Sequence, residues 1–588
     1  MQKREADLIT LDIIKDSLQA IGEEMFLSVA RTSKSPIIYE VLDFASGLAD
    51  DKGRLLTQGN GAAGFLGMLT TMVKEVIDKY TVKGNLKEGD VIITNDPYGG
   101  GGSHLQDVGL VIPVFIDGEV FCYCVNKCHW SELGGKDPGY AVDSSEIYQE
   151  GLQFPCIKLF QEGVINEGVL EIIRSNVRLP DMSIGDMWAQ ISGLRTGEKR
   201  IRELCNKYGK EIVKDAIERL LKSSADFSRK QVAAIPDGIY TAKGMMDRDI
   251  LGNGPFPIQV KITVEVDRML VDFTGSAPQT PGPINLSRAG LMSAIRSIFL
   301  ACTDPGQDIN DGVFEPLEII AEEGSIFNAK RPAAVSCYYE SMQFALDLVW
   351  QAMAPVVDKG KLTAGHFLTV GAYSISGTHS VTGETFVDVG PTLGGWGAGA
   401  GRDGDSGQFC TGDGETYNIP AEILEAKFGY RVTEYGLNTN HAGAGEYRGG
   451  YGILLGHEAL NENMYFSGTY GRFDYPAWGY DGGKDGSPNG FDILRKDGSY
   501  VKQAGTGSKI FLQKGDIVRM VTGTGGGYGS PYRRLPEKVA MDVKNEYISR
   551  KDAEEIYGVL IGPDSFEILG VTDARKEFCR NNQKENSK

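Results

Sequence analysis

The sequence predicts an α+β protein, large and multi-layered, with substantial antiparallel β structure, helical middle segments and a glycine-rich β C-terminal region. Three observations carry this reading. Apolar residues recur at three- and four-residue spacing in several long windows, the period of an amphipathic helix. In other stretches they alternate, the period of a half-buried strand. The 77 glycines bunch at 99–102, 134–139, 392–414, 442–452, 482–490 and 523–529, where permissive backbone builds shaped loops.

Taken in order, residues 10–34 read as a helix with Thr10 as N-cap and Leu11, Ile14, Leu18, Ile21 and Met25 along one face. Residues 37–60 are β-like, with a turn at Asp50–Gly53, and a helix follows at 65–80. Asp90–Thr94 is a short strand. VGLVIPVFI and EVFCYCVNK then flank Asp117-Gly118, a strong two-residue hairpin signal. Pro113 places the first of these strands at an edge or at a bulge. Residues 165–232 are helical, with Ile212, Ile217, Leu220 and Leu221 on one side of the last helix. The stretch 236–275 alternates as strands; helices return near 287–302 and 338–354. After about 362 the chain is β-like, with helices near 420–428 and 551–558 and a polar, frayed tail at 575–588. Three regions result: 1–235 with the hairpin at 108–129 and helices, 236–361 mixed α/β, and 362–588 glycine-rich β.

Bulk composition narrows the function. A formal net charge of −19 repels phosphate backbones and anionic lipid, so nucleic acid and membrane are not expected partners. Nine cysteines, an odd number spread over 588 residues, argue against a disulfide framework and for a reducing compartment. The opening MQKREADLITLD has no apolar signal core, and no run approaches the ~18 apolar residues of a membrane helix. A cytoplasmic location is expected.

The hairpin gathers chemistry. If Asp117 and Gly118 are its loop, Ile116 pairs with Glu119 and paired positions sum to 235. His129 then faces Gln106, and His104 points to the same face. Asp107 is one residue out of phase and turns away in a regular strand. It joins the histidines only if the backbone around 102–108 bulges, which the glycine run and Pro113 permit. Two imidazoles and a carboxylate suit Fe(II), Mn(II) or Zn(II), with positions left open for water or substrate. On spacing alone, hydrogen-bonded loop histidines remain the competing reading. Cys122, Cys124 and Cys128 have the parity opposite to His129 and read as small buried hydrophobes. Asp403, Asp405, Asp413 and Glu415 lack the spacing of a calcium loop and read as solvated. Glu422 and Glu425 share a helix face. His366, His379, His441 and His457 read as structural. The triglycine at 525–527 precedes Tyr-Gly-Ser-Pro, which cannot open a helix smoothly, and reads as a structural loop rather than a phosphate cradle.

Asn95-Asp-Pro-Tyr-Gly-Gly, His104-Leu-Gln-Asp107 and His129-Trp-Ser-Glu-Leu-Gly-Gly resemble the B-subunit family of ATP-dependent hydantoinases. That family also takes in part of 5-oxoprolinase and the large metal subunit of acetone and acetophenone carboxylases. The resemblance runs along nearly the whole chain. It includes Ser35-Pro-Ile-Ile, Leu42-Asp-Phe-Ala-Ser, Tyr148-Gln-Glu-Gly-Leu and Asp272-Phe-Thr-Gly-Ser. Further on it includes Pro420-Ala-Glu-Ile-Leu-Glu, Gly443-Ala-Gly-Glu-Tyr-Arg-Gly-Gly and Gly525-Gly-Gly-Tyr-Gly-Ser-Pro.

The resemblance implies a metal site at His104, Asp107 and His129, holding manganese or zinc, or else iron. Glu132 stands where the family commonly has Asp; it and Asp96 are the candidate catalytic carboxylates. The resemblance also implies an A-type partner subunit carrying ATP and magnesium, in a hetero-oligomer with two or more copies of each chain. In agreement, no G-x-x-x-x-G-K-[ST] loop occurs here. The expected activity is ATP-dependent opening of a cyclic amide or imide of the hydantoin or lactam type, with water activated by the ion. Carboxylation of a ketone by the same metal and partner is the alternative, and a non-catalytic scaffold a second one.

Overall fold

A computed structural model describes residues 7–59, 61–357, 360–439, 442–503 and 505–585 of the protein. The chain divides into two compact units. The first comprises Met1–Val356, Ser374–Gly390 and Thr411–Phe428; the second comprises Val357–Tyr373, Pro391–Cys410 and Gly429–Lys588. Helices and mainly antiparallel sheets occupy separate runs, the α+β arrangement expected.

The first unit opens with helix α1 (Leu8–Thr32), capped by Asp7, whose side chain accepts from the Thr10 amide at 2.9 Å. Thr10, the expected cap, instead lies in the first turn and donates its hydroxyl to the same carboxylate. Ile14, Leu18, Ile21 and Met25 are buried as one stripe. Strands β1 (Phe44–Asp50) and β2 (Leu55–Gln58) and helix α2 (Met68–Val76) follow, then β3 (Val91–Thr94), β4 (Asp107–Ile116), β5 (Glu119–His129), β6 (Ile157–Gln161) and β7 (Val164–Ile165). The strands form a seven-stranded antiparallel sheet in the order β2-β1-β5-β4-β3-β6-β7. β4 is therefore interior rather than an edge. Pro113 is tolerated because β3 pairs with β4 only at Gly109–Val111, so the missing amide falls beyond its end.

Hairpin β4–β5 turns where expected. Asp117 and Gly118 have φ of 54° and 80°, the pair of left-handed residues that a type I′ turn needs. The register then departs from expectation. Ile116 faces Glu119 and Phe115 faces Val120, but Val114 faces Cys122. Phe121 is an extra residue in β5, and from there on paired positions sum to 236. His129 consequently faces Asp107 instead of Gln106. The bulge anticipated around 102–108 lies at the other end of the hairpin, and it brings Asp107 into phase. His104 sits in a tight turn, where the Asp107 amide donates to its carbonyl at 3.3 Å.

The two faces of this sheet differ. Toward one face turn Cys122, Cys124 and Cys128, all buried and unbridged, with Asn126. Helix α3 (Glu167–Asn176) leads into α4 (Pro180–Tyr208), which packs here: a methyl group on its Gly197 would stand 2.9 Å from Cys124 Sγ. Gln190 of α4 donates to the Val108 carbonyl at 2.9 Å and to Asn126 Oδ1 at 3.2 Å. Its own Oε1 accepts from Trp130 Nε1 at 2.8 Å. The other face carries Asp107, Lys127 and His129, with Met72 of α2 over Gly109.

Helix α5 (Lys210–Ala233) follows, buried along Val213, Ala216, Ile217 and Leu221. Strands β8 (Gly238–Met246), β9 (Phe256–Glu265), β10 (Arg268–Asp272) and β11 (Leu317–Ile320) make a four-stranded sheet whose β10–β11 pair is parallel. Helices α6 (Arg288–Cys302), α7 (Tyr338–Met353) and α8 (Ala421–Lys427) complete the unit's main elements.

In the second unit, β12 (Tyr430–Asn438), β13 (Gly452–Ala459), β15 (Gly490–Leu494), β16 (Tyr500–Gln503) and β18 (Ile517–Val521) form one antiparallel sheet; β14 (Met464–Thr469) pairs with β17 (Thr506–Leu512). The triglycine is structural, as expected. A methyl on Gly525 or Gly526 would lie 2.0 Å from the carbonyl oxygen of Trp396 or Trp478, respectively. Asp403, read from sequence as solvated, is instead gripped by Arg534 at 2.6 and 2.9 Å. Ser549 and Asp552 form a capping box at α10 (Arg550–Glu555), after α9 (Pro536–Lys544). The tail expected to fray is helical over Asp573–Glu585. Among the described residues, no helix is long and apolar enough to cross a membrane.

Candidate metal centre

His104, Asp107 and His129 each offer one ligand atom, and these atoms lie within 4.8 Å of one another. The hairpin bulge delivers Asp107 opposite His129, and the turn at 104–107 swings His104 over both. His104 Nε2 stands 3.2 Å from Asp107 Oδ1. The imidazoles meet edge-on with centroids 5.1 Å apart. All three residues are buried, yet His104 Nε2, Asp107 Oδ1 and His129 Nδ1 have no hydrogen-bond partner among the described residues. Buried polar atoms are rarely left so, and three that converge fit a divalent cation.

Surrounding groups orient the ligands. His104 Nδ1 lies 2.9 Å from the Ser336 carbonyl. A carbonyl only accepts, so Nδ1 carries a proton, and Nε2 is the nitrogen turned to Asp107. Asp107 Oδ2 accepts from Ser103 and, at 3.2 Å, from the Tyr338 hydroxyl, leaving Oδ1 available. Buried Lys127 donates its ammonium to the Asp107 carbonyl at 2.9 Å.

The electrostatics follow from this packing. Burial pushes His129 down to about 3, aided by His104, so it is a neutral lone-pair donor. Burial works against charge on His104, but neighbouring Asp107 outweighs it and raises its pKa. Burial likewise disfavours the Asp107 anion, but His104 prevails and holds it well below the usual carboxylate range. Burial lowers Lys127 to about 8. Asp43 is raised to about 8 by burial and by the carboxylates of Asp107 and Asp413.

The two carboxylates expected to be catalytic lie apart from the ligand atoms' grouping. Glu132 is fully buried, but its oxygens accept from the Gly134 amide at 2.6 Å, the Arg178 amide at 2.6 Å and the Arg178 guanidinium. Asp96 accepts from the Tyr98 amide at 3.0 Å and from Arg331 at 2.9 Å. Of the other histidines, His366 stacks between Phe367 and Trp396, and His379 accepts from the Val381 amide at 3.2 Å. His457 is sealed against Tyr430, while His441 lies outside the described residues.

Sequence reasoning did not single out Asp43, Lys127, Ser336, Tyr338 or Glu150. Asp43 and Glu150 were within reach, since each is the acid of a motif already noted, Leu42-Asp-Phe-Ala-Ser and Tyr148-Gln-Glu-Gly-Leu. Ser336 and Tyr338 come from over 200 residues away in the chain, and nothing local marks them.

A buried bis-imidazole–carboxylate group at the end of an antiparallel hairpin defines the class: a chain whose His104, Asp107 and His129 could together bind a metal ion. The family pattern described as hydantoinase B/oxoprolinase matches residues 7–531, and the chain belongs to that family. It is 33% identical over 585 residues to the B-type chain of a putative D-/L-hydantoinase from Pseudomonas sp. (strain NS671), covering 96% of this chain and 97% of that protein. The crystal structure of an ATP-dependent caprolactamase from Pseudomonas jessenii superposes with a TM-score of 0.88 at 26% identity, over 98% of this chain and 100% of that one. Nucleotide-free acetone carboxylase shares the fold, with a TM-score of 0.90 at 19% identity, over 99% of this chain and 84% of that one.

Proposed function

We propose that this chain is the metal-carrying subunit of an ATP-dependent hydrolase that opens a cyclic amide or imide, acting with a separate A-type subunit that binds ATP and magnesium. The observation that carries the proposal is the convergence of one ligand atom from each of three buried residues, His104, Asp107 and His129, within 4.8 Å of one another. The hindrance to lactam opening is the poor electrophilicity of the amide carbon. Phosphorylation of the amide oxygen by the partner removes it. Water then adds to that carbon, the ring C–N bond breaks with a proton going to nitrogen, and a second water frees the phosphate.

His104 through Nε2, Asp107 through Oδ1 and His129 through a ring nitrogen would hold manganese, zinc or iron. When bound, the ion supplies Lewis-acid polarisation of oxygen. The Ser336 carbonyl fixes the His104 tautomer, and Tyr338 and Ser103 hold Asp107 so that one oxygen remains free. Asp43, whose pKa is raised to about 8, is the group we assign to exchange a proton with water. Glu132 serves as a brace through Arg178, and Asp96 through Arg331.

The test is reconstitution. With the co-expressed A-type chain, ring opening of hydantoin, 5-oxoproline or caprolactam should consume ATP, and His104→Ala or His129→Ala should abolish it. Bicarbonate-dependent consumption of acetone in place of ring opening would instead select the ketone carboxylase. Full activity in a metal-depleted complex would make the chain a scaffold.

A further inference from the structure

The oxygens that steady the metal ligands come largely from one strap, residues 333–338, at the start of α7. Ser336 gives His104 its carbonyl partner, and Tyr338 reaches Asp107. Something must hold that strap, because a carbonyl aimed at an imidazole from a distant segment has no local reason to stay there.

Glu150 is fully buried, and a single oxygen, Oε1, accepts three hydrogen bonds. They come from the Val335 amide at 2.9 Å, the Ser336 amide at 2.9 Å and the Ser144 hydroxyl at 2.7 Å. Its backbone carbonyl is tied in turn to Gln106 Nε2 at 3.3 Å, one residue before Asp107. Glu150 thus links the strap to the hairpin end that bears the ligands. Its Oε2 is buried without a hydrogen-bond partner among the described residues, and burial raises its pKa to about 7. A group kept at that disadvantage, with two consecutive amides on one oxygen, is placed for orientation.

Resting on the metal reading above, we infer that Glu150 is a positioning residue: by fixing the Val335–Ser336 peptide it points the Ser336 carbonyl at His104 Nδ1 and presents Nε2 to the metal. Partners behind a ligating histidine typically change metal affinity by roughly 10–100-fold when removed.

The test is a chelator competition on the purified full chain with Zn2+, Mn2+ or Co2+ alone, together with the Co2+ absorption spectrum. Glu150→Ala is expected to weaken binding by at least ~10-fold and to shift the Co2+ bands. Glu150→Gln keeps an accepting oxygen and should bind within about threefold of wild type, with wild-type bands. If Glu150→Ala does not fold, Glu150→Asp decides, because it withdraws the oxygen from both amides while keeping the charge; weakened binding with shifted bands supports the inference. Wild-type affinity and spectrum in the folded Ala variant, or in Asp where Ala fails, overturn the inference and leave the metal site standing. A wild-type chain that takes up none of the three ions overturns the metal reading itself, and this inference with it.

Discussion

His129 and His457 are buried alike, at 5% and 1% exposure, and burial pushes both pKa values down to about 3. Their surroundings separate them. One ring nitrogen of His129 lies within 4.8 Å of ligand atoms of His104 and Asp107, and its protonation also responds to His104, Asp107 and Lys127. His457 lies stacked on Tyr430 with centroids 4.5 Å apart and edge-on to Tyr373 at 5.4 Å. Both its nitrogens lack hydrogen-bond partners among the described residues, and burial alone accounts for its shift. A lone buried nitrogen is therefore no sign of a site, since aromatic packing can offset its desolvation. Three such atoms of mixed charge pointing at one another have a common remedy, a cation, and that geometry is what distinguishes the first environment from the second.

The sharpest test of the contrast is metal content. Elemental analysis after reloading should find about one ion per wild-type chain, and affinity should fall by more than ~100-fold in His104→Ala and His129→Ala, since losing a ligand exceeds the usual loss behind one. His457→Phe should retain the ion. Equal metal in all four proteins would erase the distinction. The ion should also raise wild-type stability by about 2.7 kcal/mol at a hundredfold excess over Kd, and that of the two ligand variants far less.

Next in size is Gln190→Leu, which strips a partner from the buried Trp130 N–H and the Val108 carbonyl beside the ligands. Urea unfolding should show a loss of ~2–3 kcal/mol; an unchanged midpoint would mean that α4 does not anchor the hairpin. The third test uses pH. Unfolded His457 takes up a proton near pH 6.5 and folded His457 not until about 3, so in that window the unfolded state binds more protons and stability is lost as the pH is lowered. Between pH 7 and 5 the wild type should lose about 2 kcal/mol more than His457→Phe. Parallel losses would contradict a neutral, sealed imidazole. The smallest effect is expected for Glu132→Gln: about 1 kcal/mol of stability, with metal content unchanged. Lost metal in that variant would move Glu132 from brace to participant.

Much of the architecture was readable because it is local. The periodicity of α1 and the Asp117-Gly118 turn each follow from residues within a few positions. The grouping of His104, Asp107 and His129 was readable in membership but not in phase. A regular hairpin puts Asp107 on the wrong face, and only the unpaired Phe121 corrects it; nothing in a run of alternating apolar residues marks which one will go unpaired. Of the two readings Pro113 allowed, the edge strand fails, because an interior strand that outlasts its neighbour also accommodates proline, while a register shift does lie beside it, between Val114 and Phe115. Ser336 and Tyr338 were harder still, since their relation to His104 and Asp107 is set by tertiary packing and leaves no spacing to read. Glu132 stood in the right motif, but Arg178 claims its carboxylate from 46 residues away.

The carbonyl-packed glycines of the second unit bear on how this chain would look to a substitution survey. At Gly525 and Gly526 even one added carbon collides with main chain, so every replacement there should fail as completely as replacement of a ligand histidine. A ranking by intolerance would set the two side by side and invite a phosphate-binding interpretation of the triglycine. Foldedness separates them: a damaged ligand set can leave an intact but ion-free protein, whereas a side chain forced into that glycine lattice should leave no folded second unit to assay.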